Sequence, residues 1–290
     1  MRISVIGLGR MGAGIAKNLT RRGHVVMGYD ISKEAVASAG VTPCELQACF
    51  DADYVILALP TGNEVLEVLK AAGPTRAVVI DTTTQSLSEL KAVLAIAGGI
   101  KYLTCRVERG PREAEEGRLV LYVGGPRELF EEARGLLAEL GEPLYVGTHE
   151  QATVLKLVST AVLTANAVVL AEAAEILRRY GFDPEAAVAL LSKGGAASAQ
   201  LASRMPAMLK EQFAVGFSAG QADAVLKRVF ELASELGVEV LPLLMETREV
   251  LRSALAASIG LKDLSELVLY IRSINRAQSA HSTHLKNIRS

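Results

Sequence analysis

Short runs of apolar residues alternate with longer amphipathic stretches over the first half of the chain. The runs are rich in valine and isoleucine, and several of the stretches between them have the apolar period of an α-helix. Strands that alternate with helices in this way predict βαβ units and a mainly parallel, doubly wound sheet. The predicted strands are Ile3–Gly7, His24–Tyr29, Asp53–Ala58, Ala77–Asp81, Tyr102–Cys105, Leu119–Gly124 and Leu144–Val146.

Strand patterns stop after about residue 150, and helical periodicity then continues to Arg276. Asp183 and Pro184 are residue types typical of an N-cap and a first helical position, and Gly237 is typical of a C-cap. We therefore expect an α/β domain over residues 1–150 and an all-α domain over residues 151–290, with a loose polar tail from Asn275. The predicted helices are Gln151–Tyr180, Pro184–Ser192, Ser198–Lys210, Ala219–Leu236 and Leu241–Ala257.

Composition and charge narrow the classes of function. The chain has 290 residues, half of them hydrophobic, with 31 basic and 32 acidic side chains. A net charge of −1 gives no electrostatic footprint for nucleic acid. The longest uncharged apolar run, Leu157–Ala171, is shorter than the roughly 18 residues that cross a bilayer, and the N-terminus enters a strand instead of a signal sequence. We expect a cytoplasmic protein that binds neither nucleic acid nor membrane.

The cysteines and histidines give little sign of a disulfide or a metal site. Cys44, Cys49 and Cys105 are odd in number and lack CxxC spacing, which favours buried or incidental thiols. His281 and His284 have a spacing that could ligate a metal, but acidic or cysteine partners are missing nearby. We expect no metal.

A glycine-rich turn is the strongest local motif in the sequence. It follows the first predicted strand directly and opens a helix, which is the context a dinucleotide-binding turn requires. The glycines allow a tight turn and a close approach of backbone N–H groups to a pyrophosphate, and the helix N-terminus favours the phosphate charge. The motif is Gly7-Leu8-Gly9-Arg10-Met11-Gly12.

A carboxylate stands at the position expected for ribose recognition. Asp30 closes the second predicted strand, about 20 residues after the glycine turn. Because a carboxylate there accepts hydrogen bonds from ribose and repels a 2′-phosphate, Asp30 favours NAD. Arg21 and Lys33 nearby keep NADP as an alternative.

With these motifs, the chain resembles the β-hydroxyacid dehydrogenase family, the group of 3-hydroxyisobutyrate dehydrogenase and, more distantly, 6-phosphogluconate dehydrogenase. The resemblance covers almost the whole chain. It implies a Rossmann domain followed by a helical substrate and dimerisation domain, and a homodimer or higher homo-oligomer. Besides the glycine turn, it rests on Leu59-Pro60, Asp81-Thr82-Thr83-Thr84 and Gly260-Leu261-Lys262-Asp263-Leu264-Ser265.

The resemblance also assigns roles to residues near the cofactor and the reacting atoms. Lys156 falls on the family's catalytic lysine, near the start of the interdomain helix, as proton donor and acceptor. Four residues later, on the same helix face, Thr160 stands where the family has asparagine. Leu59 and Pro60 are expected on the nicotinamide side, and Thr84 at the nicotinamide ribose.

The substrate loop departs from the family pattern. Glu108 replaces its serine and Arg109 its first glycine, and Ala224 stands where a second lysine is expected. A carboxylate in this loop repels an anionic substrate, whereas Arg106, Arg109 or Arg112 could hold one by bidentate pairing. Asp263 could contact substrate or cap a helix. The predicted substrate-binding residues are Arg106, Glu108, Arg109, Gly110, Thr160 and Asp263.

Together with these motifs, the resemblance implies an NAD(P)-dependent oxidoreductase that transfers hydride between nicotinamide and a small hydroxy acid or semialdehyde, with a carboxylic acid as the expected substrate. Two alternatives follow from the altered loop. One is an imine-type reductase, and the other is a non-catalytic NAD(P)-binding protein with a degenerate substrate site.

Overall fold

The chain forms an eight-stranded sheet in a computed structural model, which describes residues 1–288 and the side chains of residues 1–277. The strand order is β3-β2-β1-β4-β5-β6-β7-β8, and all neighbouring strands are parallel except the antiparallel pair of β6 and β7. The predicted mainly parallel, doubly wound α/β domain is confirmed. The strands are β1 (Arg2–Ile6), β2 (Val25–Tyr29), β3 (Thr42–Pro43), β4 (Tyr54–Leu57), β5 (Val78–Asp81), β6 (Lys101–Glu108), β7 (Leu119–Gly124) and β8 (Gly141–Gly147).

Apolar side chains fill both faces of this sheet. Along β4, Ile56 belongs to one buried cluster while Val55 and Leu57 belong to another, because successive strand residues point to opposite faces. Such two-sided burial explains why the central strands are continuous apolar runs in the sequence. The helices between the strands of this sheet are α1 (Arg10–Arg21), α2 (Lys33–Ala39), α3 (Leu46–Cys49), α4 (Gly62–Ala72), α5 (Leu87–Ile96), α6 (Pro111–Glu116) and α7 (Arg127–Leu140).

The chain divides into two compact units, Met1–Leu157 and a second that begins at Val158. Every regular element described after residue 148 is helical, so the predicted all-α part is confirmed. The last helix continues to Ile288, and the prediction of a loose tail from Asn275 is wrong over that range. The helices are α8 (His149–Tyr180), α9 (Pro184–Leu191), α10 (Ala199–Lys210), α11 (Ala219–Glu235), α12 (Pro242–Ala256) and α13 (Leu267–Ile288).

Local capping explains where α9 begins. The Asp183 side chain accepts a hydrogen bond from the backbone N–H of Ala186 at 2.8 Å, and Pro184 occupies the first turn, as the sequence predicts. Gly237 has a φ of +73°, the left-handed conformation typical of the residue that follows a helix.

One helix in the described part of the chain, α8, is long and apolar enough to cross a membrane by length and composition alone. Half of its most apolar stretch is buried inside the protein. A buried helix in the core of a soluble protein has the same composition, so α8 is weak evidence for a membrane span.

The predicted absence of a disulfide is wrong. Cys44, just after β3, and Cys49, at the end of α3, form a disulfide with a Cα–Cα distance of 5.9 Å. Their two elements are too short to show any sequence period, so no pattern of residues indicates that the cysteines face each other. Cys105 is a free, buried thiol on β6, as predicted, and burial raises its pKa to about 12.

Candidate active site

The glycine turn joins β1 to α1 with the tight geometry that its sequence predicts. Gly7 has a φ of +90°, and a Cβ atom on Gly12 would lie 1.9 Å from the Gly7 carbonyl oxygen. A Cβ atom on Gly9 would meet nothing within 4 Å, so the turn is open at its centre. Gly9 is also the N-cap of α1 and makes no side-chain cap. An open, side-chain-free cradle at a helix N-terminus fits the pyrophosphate of a dinucleotide.

Asp30 is held against this turn. Its Oδ2 atom accepts a hydrogen bond from the Leu8 N–H at 2.7 Å, and its Oδ1 atom accepts one from the Ser32 N–H at 2.9 Å. A carboxylate has about four lone-pair positions, so Asp30 keeps acceptor capacity for ribose hydroxyls. The Asp30 carboxylate is therefore hydrogen-bonded to the glycine turn and retains acceptor capacity beside it.

The loops after β4 and β5 lie beside the turn at the same edge of the sheet. A Cβ atom on Gly7 would lie 3.1 Å from the Leu59 side chain. The Leu59 N–H donates to the Thr83 hydroxyl at 3.2 Å, which ties the Leu59-Pro60 loop to the segment that carries Thr84. The carboxyl ends of parallel strands thus bring the predicted nicotinamide-side residues to one place.

A row of polar contacts joins β6 to the start of α8. Alternate residues of β6 face α8, and they contact residues of α8 that are four and then three positions apart. The hydroxyl of Thr104 lies 3.0 Å from His149 Nδ1, Arg106 Nε donates to the Thr153 hydroxyl at 3.1 Å, and Lys156 Nζ lies 3.2 Å from Glu108 Oε1.

Lys156 is largely buried at the end of this row. The side chains of Lys156 and Glu108 are each 15% exposed. Burial lowers the pKa of Lys156 below its ordinary value, the charge of Glu108 acts in the opposite direction, and the charge of Arg106 adds to the lowering. A lysine whose pKa is brought towards neutral pH is suited to both donating and accepting a proton.

Arg106 is not available to a substrate carboxylate, which corrects the sequence prediction. Its guanidinium is 1% exposed and pairs with the buried Asp81 carboxylate at 3.0 Å. It also donates to Gln85 at 2.9 Å and to the Thr83 carbonyl. The predicted strand ended at Cys105, whereas β6 continues to Glu108, and this continuation turns Arg106 inward.

Arg109 and Gly110 lie just beyond the end of β6. Arg109 has a φ of +75°, a left-handed conformation at a position where the family pattern has glycine. The Arg109 guanidinium is exposed and donates to the Arg118 carbonyl at 2.6 Å. Arg112 pairs with Glu116 on the surface.

The two predicted substrate residues of the second unit have structural contacts there. Thr160 is 2% exposed within α8. Asp263 accepts hydrogen bonds from the N–H of Ser265 at 2.8 Å and of Phe217 at 3.0 Å, and it pairs with Arg204. These contacts match the capping role that the sequence left open for Asp263.

Sequence reasoning missed the contacts that Thr104, Thr153 and His149 make in this row. Burial lowers the pKa of His149, whose ring packs beside Tyr102. The sequence carries a signal for these contacts, because polar residues alternate along β6 and polar residues recur at intervals of four and three along the start of α8.

No group of three metal-ligating side chains occurs within the described residues, and the His281 and His284 side chains lie outside them.

Two family models of known proteins match the chain. Residues 2–155 match the family model for the NAD binding domain of 6-phosphogluconate dehydrogenase. Residues 151–271 match the model for the NAD-binding region of NADP-dependent 3-hydroxyisobutyrate dehydrogenase.

Curated relatives align over nearly their full lengths. The 3-sulfolactaldehyde reductase of Escherichia coli strain K12 is 30% identical, covering 93% of this chain and 95% of that protein. The 2-(hydroxymethyl)glutarate dehydrogenase of Eubacterium barkeri is 26% identical, covering 92% and 94%.

Solved structures show the same fold. The Mycobacterium tuberculosis 3-hydroxyisobutyrate dehydrogenase structure with L-serine has a TM-score of 0.82 at 24% identity, covering 93% of this chain and 99% of that one. A Streptomyces aurantiacus imine reductase has a TM-score of 0.63 at 18% identity, covering 93% and 99%. The chain thus belongs to the hydroxyacid dehydrogenase family of 3-hydroxyisobutyrate dehydrogenase and is an NAD(P)-dependent oxidoreductase.

Proposed function

We propose that Lys156 is the proton donor and acceptor for hydride transfer between NAD(P) and a small hydroxy acid or its semialdehyde. The observation that carries this proposal is a largely buried lysine at the end of the β6–α8 row, in the protein that holds the dinucleotide turn. The bound nicotinamide supplies or accepts the hydride at carbon. In reduction, the Lys156 ammonium gives a proton to the carbonyl oxygen, which becomes the hydroxyl. In oxidation, the neutral amine removes that proton.

The proposed cofactor residues are those of the turn and the adjoining loops. Backbone N–H groups of the turn would hold the pyrophosphate, and the Asp30 carboxylate would accept hydrogen bonds from the adenosine ribose. The Asp30 charge favours NAD over NADP, because a 2′-phosphate would be repelled. The proposed contacts are Gly7, Leu8, Gly9, Arg10, Met11, Gly12, Asp30, Leu59, Pro60 and Thr84.

An acid group on the substrate is proposed to bind near Arg109. Arg106 is held by Asp81 and the exposed Arg112 pairs with Glu116, which leaves Arg109, whose guanidinium is also exposed. Its guanidinium has five N–H donors, which leaves several after its contact with Arg118. Two relatives are named for a hydroxymethyl glutarate and for an aldehyde. Both names suit a substrate that joins an anionic group to a hydroxyl or aldehyde carbon.

A homodimer in the cytoplasm is proposed for the assembly and location. Apolar side chains lie exposed along α8 at intervals of three, four and seven residues, a spacing that forms one stripe on a helix. A second copy of the chain would cover this stripe. Light scattering should give twice the mass of one chain, and a single chain mass would contradict the dimer. The stripe consists of Leu155, Val158, Val162, Val169 and Ile176.

The test is loss of nicotinamide absorbance with NADH and with NADPH, over a panel of semialdehydes and 2- and 3-oxo acids. Lys156→Ala should abolish turnover of any substrate found, while Lys70→Ala, which removes an exposed lysine, should keep it. Arg109→Gln should raise the KM for acid-bearing substrates, whereas Arg112→Gln should not. Equal turnover by wild type and Lys156→Ala would refute the proposed mechanism.

A further inference from the structure

Glu108 lies at the carboxyl end of β6, directly opposite the second turn of α8. Its Oε1 atom is buried, and Lys156 Nζ lies 3.2 Å away, which makes the two side chains an ion pair. The contact is fixed by the same row that joins Thr104 to His149 and Arg106 to Thr153. The Glu108 carboxylate is therefore held at the lysine by the register of strand against helix.

Burial and the charges around Lys156 shift its pKa in opposite directions. Removing an ammonium from water disfavours its charged form, and the Arg106 guanidinium, two residues before Glu108 on the same strand, has the same effect. Arg106 is itself neutralised by Asp81 on β5. Glu108 is a negative group in contact with the ammonium, and its charge opposes both influences.

We infer that Glu108 is a positioning residue that holds Lys156 in its protonated form and aims it, which poises the enzyme for reduction. This inference rests on the proposed role of Lys156. A lysine that donates a proton in reduction must be charged before the hydride arrives. Reduction is therefore supported below the pKa of Lys156 and lost above it. Because Glu108 raises that pKa, it extends reduction to higher pH.

The test begins with the Lys156 pKa in the protein without cofactor. Protein labelled with ¹³C-lysine is titrated by NMR, and the Lys156 Cε signal is assigned from its absence in Lys156→Arg. Glu108→Gln keeps the size and a polar oxygen but removes the charge, and it should lower the pKa of Lys156 by about one unit or more. Glu108→Asp, which keeps the charge on a shorter side chain, should restore part of the shift.

A matched control removes the same charge elsewhere. Glu116 lies on α6 and pairs with Arg112 and Arg118 on the surface, so Glu116→Gln should leave the Lys156 titration unchanged. The second readout is the pH profile of reduction. Its alkaline limb should move to lower pH in Glu108→Gln by the same amount as the NMR titration, so that for a shift of about one unit the rate about one unit above the new pKa falls roughly fivefold relative to wild type.

The outcomes separate the inference from the proposed function. An unchanged Lys156 titration in folded Glu108→Gln overturns the inference, and so does an equal shift in Glu116→Gln. If Glu108→Gln does not fold, Glu108→Asp carries the test: a Lys156 pKa below that of wild type supports the inference, and an unchanged pKa overturns it. Normal turnover by Lys156→Ala would refute the proposed function, whatever the titration shows.

Discussion

Replacing Arg106 by methionine tests whether the buried ion pair stabilises the α/β unit. The Arg106 and Asp81 side chains are 1% and 0% exposed, and Nη1 lies 3.0 Å from Oδ2. At this distance the Coulomb attraction is about 5 kcal/mol for an effective dielectric constant of about 20. Methionine fills similar space but leaves the Asp81 carboxylate buried without its countercharge.

The expected loss is about 3 kcal/mol of the free energy of unfolding, near the lower end of the roughly 3–5 kcal/mol for a broken buried pair. The lower end applies because Asp81 keeps hydrogen bonds from the Tyr102 hydroxyl at 2.7 Å and from the Thr83 N–H at 2.9 Å.

Urea unfolding followed by tyrosine fluorescence measures this loss. Five of the seven tyrosines lie in the first unit, so fluorescence reports chiefly on the domain that holds the pair. The control is Arg112→Met, which breaks an exposed pair with Glu116 and should cost about 0.5 kcal/mol or less. If Arg106→Met lowers the free energy of unfolding no more than Arg112→Met does, the buried ion pair does not stabilise the α/β unit.

Three further predictions concern the cofactor turn and the disulfide. Gly12→Ala and Gly9→Ala should both weaken NADH binding, but only Gly12→Ala should lower the Tm of the cofactor-free protein, because only its Cβ atom meets backbone; equal Tm losses would contradict this. Asp30→Ser should reduce the preference for NADH over NADPH, as the ratio of kcat/KM, by about tenfold, from loss of a charged hydrogen-bond acceptor; an unchanged ratio would show that Asp30 does not select the cofactor. Reducing the Cys44–Cys49 bond should lower the free energy of unfolding by roughly 2 kcal/mol, as expected for so short a loop; three free thiols in denatured, unreduced protein would show that the bond is absent.

The dinucleotide part of the site could be predicted from sequence because its chemistry is local. Gly7, Gly9 and Gly12 are needed by one turn, and Asp30 follows at a fixed distance at the end of the next strand. Such features depend on backbone conformation within a few residues. In the structure, Asp30 lies against the turn, where its carboxylate accepts a hydrogen bond from the Leu8 N–H.

The substrate part could not be predicted in the same way, because it depends on register between distant elements. Whether Arg106 faces the interior or the solvent depends on where β6 ends, and a difference of three residues changes the answer. The contact of Glu108 with Lys156 requires β6 and α8 to pack in one register, which the periodicity of either segment leaves open. The periodicity around Lys156 alone favours a lysine at the edge of a buried helix, and only the resemblance to a family singles it out as catalytic.

Single-turnover reduction directly tests whether Lys156 is the proton donor in hydride transfer. Enzyme with bound NADH is mixed rapidly with the best substrate of the panel, and loss of nicotinamide absorbance is followed for wild type and Lys156→Ala. Cofactor affinity is measured in parallel by fluorescence. Lys156→Ala should bind NADH with unchanged affinity and transfer hydride more slowly by about 10²–10⁴-fold, the usual contribution of general acid catalysis. Equal rates in the two proteins would show that Lys156 is not the proton donor.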